Sequence, residues 1–231
     1  MDSQAEPSND TGERHPGEVI AGKYLLLAPL GSGGMGQVWT AENLATGAEV
    51  AVKLLHASRA RSGDLLARFR QEAHATAQLM HRGIIRVFDL IEQAAPDGSL
   101  AIVMERLRGR TLAERLHSHG PLGVDETLDV ILPLLGALQY AHGLGIIHRD
   151  LKPENVFLAT EPDGEVIPKV LDFGISKMVR RDSPPITLTG LILGTPSYMS
   201  PEQLRAETVD ARSDVFSVGI LLYECLTGRN P

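Results

Sequence analysis

Eight consecutive residues, His148-Arg149-Asp150-Leu151-Lys152-Pro153-Glu154-Asn155, constrain the fold more than any other segment. They set two cations, two carboxylates and an amide between the apolar runs Ile146-Ile147, which reads as strand-like, and Val156-Phe157-Leu158. A charge run is ordinarily a solvated loop, because unpaired charge is expensive to bury. Apolar runs on both sides hold this one against a core. Further on, Lys169-Val170-Leu171-Asp172-Phe173-Gly174 places another carboxylate at a strand end before a glycine. An amide and a carboxylate, here Asn155 and Asp172, are hard oxygen ligands suited to Mg²⁺, which keeps water and phosphate oxygens as its other ligands.

Composition limits what such a site can serve. The chain has 231 residues and a net charge of −7, against the basic face that a nucleic-acid coat or an anionic-membrane binder needs. Cys225 is the single cysteine, which excludes disulfides within the chain and any multi-cysteine zinc site. No apolar run approaches the roughly 18 residues of a membrane span, and the polar, acidic N-terminus is not signal-like. A cytoplasmic protein of a reducing compartment is the expectation.

Residues 1–22 read as a disordered acidic tail: five acids (Asp2, Glu6, Asp10, Glu13, Glu18) lie among almost nothing apolar. Residues 23–104 form a sheet-rich lobe, with strands expected at 24–30, 37–41, 49–55, 84–91 and 100–105. Its one helix, 63–80, places Leu65, Leu66, Phe69, Ala73, Thr76, Leu79 and Met80 on one arc. Glu72 falls inside that arc, where a carboxylate needs a cation. Residues 105–109 read as a hinge. Residues 110–231 form a helical lobe, with helices at 111–119, 124–143 (bent at Pro133) and 210–227. The last is apolar nearly all round, as in a helix central to a domain.

Gly31-Ser32-Gly33-Gly34-Met35-Gly36 contains G-x-G-x-x-G, whose glycines let backbone amides approach phosphate oxygens. A dinucleotide fold needs a helix directly after the glycines. Here Val38-Trp39-Thr40 continues as strand, so the glycines cap a hairpin. Val50-Ala51-Val52-Lys53 ends an apolar strand on a lysine, which alone reads as a snorkelling edge residue. Paired with Glu72, its ammonium would point at the glycine hairpin.

Taken in order, these segments resemble the protein kinase family: the glycine loop, V-A-V-K, a helix Glu, H-R-D-L-K-P-E-N, D-F-G, and Ser200-Pro201-Glu202 where the family reads A-P-E. Asp214-Val-Phe216-Ser-Val-Gly219 resembles the next family element, with Phe216 at a position usually held by Trp. The Lys152-Pro-Glu loop and Gly194-Thr195-Pro-Ser-Tyr198-Met-Ser-Pro-Glu202 are similar to bacterial eukaryotic-like serine/threonine kinases. The resemblance covers residues 24–231. It implies an α+β, two-lobed fold: a small antiparallel sheet lobe with one helix, and a mainly helical lobe truncated at its end.

The resemblance also implies Mg²⁺-dependent transfer of the ATP γ-phosphate to a protein Ser or Thr hydroxyl. Lys53, held by Glu72, would orient phosphates covered by Gly31, Ser32, Gly33, Gly34 and Gly36. Asn155 and Asp172 would hold Mg²⁺, Asp150 would accept the hydroxyl proton, and Lys152 would neutralise the transferring group. Adenine would lie between Leu30, Val38, Ala51 and Phe157, with Met104 as gatekeeper and the backbone of Glu105 and Leu107 at its edge. His148 and Phe173 would be packing residues, and His117 and His119 lie on a solvated helix end. Thr187 and Thr189 are expected phosphosites in an activation loop; Thr195 is read as structural. The alternative is a nucleotide-binding scaffold or a catalytically weak, truncated kinase. It is kept because later family helices, and the Arg that partners the Glu at position 202, are missing. One flank of Val215, Phe216, Leu222, Tyr223 or Leu226 should then meet water and favour self-association.

Overall fold

The computed structural model describes residues 14–32, 36–55, 70, 73–92, 100–173 and 196–231. The chain divides into two compact units, Met1–Leu66 with Asp89–Val103, and Ala67–Phe88 with Met104–Pro231.

The first unit is built on a six-stranded sheet of order β1-β2-β3-β4-β6-β5. Its strands are β1 (Val19–Ile20), β2 (Tyr24–Ser32), β3 (Gly36–Asn43), β4 (Glu49–Leu55), β5 (Val87–Ile91) and β6 (Ala101–Glu105), of which Val87, Phe88, Met104 and Glu105 are counted with the second unit. The pairs β1/β2, β2/β3 and β3/β4 are antiparallel. Strand β1 corrects the expected tail: it falls within residues 1–22, pairs with Tyr24 and Leu25, and buries Ile20 completely. An isoleucine with a ladder partner and a core to enter offsets the entropy of ordering its own segment. Ile20, Leu26, Trp39, Val50, Val52 and Val103 belong to the core on one side of this sheet. Gly36 is dictated by the sheet itself, since a Cβ there would overlap the Leu54 carbonyl oxygen.

The expected strand over 84–91 begins only at Val87, because Ile84 bridges Val170 and Ile85 donates to the Val170 carbonyl. The helix expected over 63–80 is seen at residues 73–77; residues 63–69, 71 and 72, Glu72 among them, lie outside the described residues. It stops short of Met80 because Gln78 and Leu79 close the last turn onto Ala75 and Thr76. Met80, expected on the apolar arc, is instead 72% exposed.

The second unit holds α1 (Leu112–His119), α2 (Val124–Gly143), α3 (Pro201–Leu204) and α4 (Ala211–Thr227). Thr111 and Glu114 form a reciprocal capping box on α1, which satisfies two of its unpaired N–H groups. Helix α2 runs unbroken through Pro133, which lies on its exposed side. Its buried stripe (Val130, Ile131, Leu134, Ala137, Leu138, Ala141) packs in one cluster with Leu151, Phe173, Val218, Leu221 and Cys225. Leu79 and Ile84 lie in that cluster too, which groups residues 67–88 with this unit.

A three-stranded antiparallel sheet, β7 (Gly109–Thr111), β8 (Val156–Thr160) and β9 (Val166–Val170), had no place in the mainly helical expectation. Ile146-Ile147, expected as strand-like, is irregular. On α4, Val215, Phe216, Tyr223 and Leu226 are exposed and Leu222 is half-buried, while Val218, Leu221 and Cys225 are buried. Among the described residues no helix is long and apolar enough to cross a membrane.

Candidate active site

The charged segment of the second unit is held from beneath by one carboxylate. Asp214, fully buried in the first turn of α4, accepts from the backbone N–H of Arg149 through Oδ1 at 2.8 Å. Its Oδ2 accepts from the His148 N–H at 2.8 Å and from His142 Nε2 at 2.7 Å. Burial pushes the Asp214 carboxyl up, but the His142 hydrogen bond and the two backbone N–H groups outweigh it and hold the group below its usual range. Arg149 has a φ of +67°, a left-handed conformation that a non-glycine residue adopts only when its surroundings enforce it.

His148 is a packing residue with a defined tautomer. Its Nδ1 accepts from the Asp150 N–H at 3.2 Å and its Nε2 lies 3.0 Å from the Leu171 carbonyl oxygen, to which it must donate. The ring packs 4.9 Å from that of Phe173, and burial lowers its pKa, so it stays neutral.

The residues after His148 form a polar cluster at one end of the β8–β9 ladder. Asn155 ends a 3-10 turn over Pro153–Asn155, and its amide donates to the Asp150 carbonyl oxygen at 2.7 Å and lies 3.4 Å from Asp150 Oδ2. Lys152 Nζ lies 3.8 Å from the same carboxylate oxygen. The ladder pairs Val156 with Val170, and one step further Leu171 N–H donates to the Asn155 carbonyl. That register sets Asn155 beside the residue preceding Asp172. Asp150 and Lys152 remain partly open to solvent, with side chains 25% and 22% exposed. The sheet and turn thus gather Asp150, Lys152, Asn155 and the Asp172 position at one edge: one accessible carboxylate beside an ammonium, next to two hard oxygen donors.

The Ser200–Gln203 turn is tied to the same loop. Gln203 Nε2 donates to the Arg149 carbonyl at 2.7 Å, while its Oε1 accepts from the Ser200 N–H at 3.0 Å. Glu202 accepts from the Ser213 hydroxyl, a bond that holds its carboxyl below the usual range. Ser217 donates to the Tyr198 carbonyl at 2.8 Å, and Tyr198 donates to Glu224 at 2.6 Å. Burial, then the Glu224 bond, pushes the Tyr198 phenol well above its ordinary value.

In the first unit the register pairs Val38 with Lys53, Thr40 with Ala51 and Gly31 with Val38. Because residues two apart on a strand share a face, Val38, Ala51 and Lys53 line one side of the sheet next to the glycine-bearing end of β2. Lys53 is buried at 8% exposure, unlike a snorkelling edge lysine. At Gly31, in contrast to Gly36, a Cβ would meet nothing within 4 Å, so the chain's own packing does not require glycine there. Leu30 is exposed; Ser32 ends β2. In the second unit Met104 is buried, while Glu105, Leu107 and Phe157 are half-buried. Gly33, Gly34, Glu72, Gly174, Thr187, Thr189 and Thr195 lie outside the described residues.

His142, Gln203 and Ser213 are not among the expected site residues, and the sequence matches Asp214 to a family element without giving it a role. Asp214 did carry a signal, a carboxylate within a helix apolar nearly all round, the same signal that singled out Glu72. His142 and Gln203 carried none, because their partners lie 72 and 54 residues away in sequence.

A model of the protein kinase domain family matches residues 24–231. The chain is 42% identical over 213 residues to the serine/threonine-protein kinase PknB of Mycolicibacterium smegmatis, covering 92% of this chain and 33% of that protein. It is 41% identical over 224 residues to the serine/threonine-protein kinase pkn3 of Myxococcus xanthus, covering 96% of this chain and 40% of that protein. Its structure matches the crystal structure of the Mycobacterium tuberculosis PknI kinase domain with a TM-score of 0.74 at 28% identity, covering 95% of this chain and 79% of that one. The chain therefore spans between about a third and two-fifths of the length of these curated relatives.

Proposed function

The chain belongs to the protein kinase family, and from that premise we propose that it transfers the γ-phosphate of ATP to a serine or threonine hydroxyl of a protein substrate. The observation that carries this reading is the Asp150–Asn155 turn, held by Asp214 below and laid beside the strand leading to Asp172. Asp150 accepts the proton of the substrate hydroxyl as oxygen attacks phosphorus. Lys152, 3.8 Å from that carboxylate, faces the transferring group and offsets its charge.

Asn155 and Asp172 suit Mg²⁺ by the chemistry of their oxygens, and the ion, when bound, supplies neutralisation of the phosphate charge. Lys53, paired with Glu72, orients the α- and β-phosphates beneath the loop of Gly31, Ser32, Gly33, Gly34 and Gly36. The freedom around Gly31 supports a ligand-facing role for it. Leu30, Val38, Ala51 and Phe157 take the adenine, beside Met104 and the main chain of Glu105 and Leu107. Thr187 and Thr189 are the proposed autophosphorylation sites, where a phosphate would pair with Arg149. We read the domain as working in the cytoplasm on a protein partner, with no nucleic acid involved.

The test is phosphate transfer from Mg·ATP to a Ser/Thr protein substrate and to the chain itself, for wild type and Asp150→Asn, with mass spectrometry of Thr187 and Thr189. Wild type should transfer phosphate and Asp150→Asn should lose at least about 10²-fold. A folded wild type that binds nucleotide yet transfers nothing would overturn the reading in favour of a nucleotide-binding scaffold.

A further inference from the structure

Lys169 lies on β9 opposite Phe157 and is 8% exposed, a cation that needs a partner to be buried. Its Nζ is 2.7 Å from Glu105 Oε2 and 3.9 Å from Glu161 Oε1. The other Glu105 oxygen accepts from the Arg86 N–H at 2.8 Å, while the Glu105 N–H donates to the Arg86 carbonyl at 2.9 Å. Residues 83–86 are in turn laced to β9, through Val170 N–H to the Gly83 carbonyl and Ile85 N–H to the Val170 carbonyl. The network closes on itself: Lys169 to Glu105, Glu105 to Arg86, residues 83–85 to Val170, and Val170 back to its neighbour Lys169. All of its members lie in the second unit.

One end of this ring is Glu105, whose main chain faces the adenine in the reading above; the other leads from Val170 to Asp172. Without the ammonium, the partly buried Glu105 carboxylate would keep, among the described residues, the Arg86 N–H alone, and turning to water would release that bond as well. We propose that Lys169 is a positioning residue which, by holding the Glu105 carboxylate, fixes the main chain at Glu105 and sets the affinity for an adenine nucleotide. It touches no reacting atom, so its effect is on preorganisation rather than on the chemical step. This inference rests on the kinase reading, and its test separates the two.

The probe is ADP, titrated calorimetrically into wild type, Lys169→Met and Lys169→Arg, with amide hydrogen exchange at Arg86 and Glu105 measured without nucleotide. Lys169→Met keeps the length of the stem and removes the charge. It should raise the Kd for ADP and the KM for ATP by about tenfold, speed exchange at both amides by about tenfold, and leave kcat within about twofold. Lys169→Arg should restore wild-type values. Unchanged exchange and ADP affinity in Lys169→Met would overturn the proposal, as would a fall in kcat with ADP affinity intact. If Lys169→Met does not fold, Lys169→Gln, which keeps an N–H donor, carries the same comparison with an expected threefold or so loss of affinity; no loss overturns it. A wild type that binds no ADP would sink the kinase reading, and exchange at Arg86 and Glu105 would then decide the role of Lys169 by itself.

Discussion

Replacing Asp214 by Asn tests the link between one buried carboxylate and the geometry of the loop that begins at His148. The carboxylate receives three hydrogen bonds, one at Oδ1 from Arg149 N–H and two at Oδ2 from His148 N–H and His142. An amide has one oxygen. At best it keeps the two bonds at the Oδ2 position, as weaker neutral ones, and turns its NH₂ toward the Arg149 N–H. A lost hydrogen bond to a charged group is worth about 1.5–3 kcal/mol, and a buried donor without an acceptor about 1–3 kcal/mol. These overlap, so the expected destabilisation is about 2–4 kcal/mol. The N–H set free belongs to Arg149, whose φ of +67° would relax once released, carrying Asp150 with it. If Asp150 acts as proposed, a misplacement of about 1 Å at that carboxylate should lower kcat by about 10²-fold.

Urea unfolding followed by far-UV circular dichroism reads mainly the helices, which lie in the second unit, whereas Trp39 fluorescence reads β3 of the first. The unfolding free energy read by dichroism should fall by about 2–4 kcal/mol, lowering that midpoint, and the one read by Trp39 by less. The acid limb should change as well. A carboxylate held below its usual range stabilises the fold above its unfolded pKa of about 4, and that contribution is lost as pH falls through the lower folded value. Asp214→Asn should therefore flatten the fall in stability below about pH 4. A variant whose dichroism midpoint and acid limb match the wild type would refute the anchoring role.

Other expectations follow from single contacts. Gly36→Ala places a Cβ on the Leu54 carbonyl and should destabilise the first unit by about 1–3 kcal/mol in a Trp39-monitored melt, while Gly31→Ala should melt normally and bind ADP more weakly. Because burial holds the His148 pKa below 6.5, unfolded chains bind more protons as pH falls below about 6.5, so stability should decline from about pH 7 to pH 5. His148→Phe should flatten that slope in a pH series of urea midpoints. Val215, Phe216, Tyr223 and Leu226 on α4 expose a shared apolar flank, and Phe216→Glu should lower apolar-dye binding and self-association in sedimentation while changing the melt by under about 0.5 kcal/mol.

Local pattern was enough for much of the architecture. Helices α1, α2 and α4 and strands β2 to β4 came from periodicity and from punctuation by glycine-rich and turn segments, signals contained within a dozen or so neighbours. The segment carrying Asp150, Lys152 and Asn155 stood out because charges wedged between apolar runs are costly unless they are used, and Asn155 with Asp172 because their oxygens suit Mg²⁺; the roles proposed for Asp150 and Lys152 came from the order of motifs that resembles the kinase family. Tertiary structure decided whatever depends on a partner distant in sequence. Strand β1 exists because Ile20 has Tyr24 and a core to meet, the β7–β9 sheet because three short segments pair across the chain, and the helix ending at residue 77 because its last turn tightens. Asp214 beneath His148 and Arg149, and Lys169 across from Glu105, are joined over 66, 65 and 64 residues. Sequence spacing carries no information about such bonds, because a hydrogen bond needs an approach of about 3 Å that only the packed chain provides.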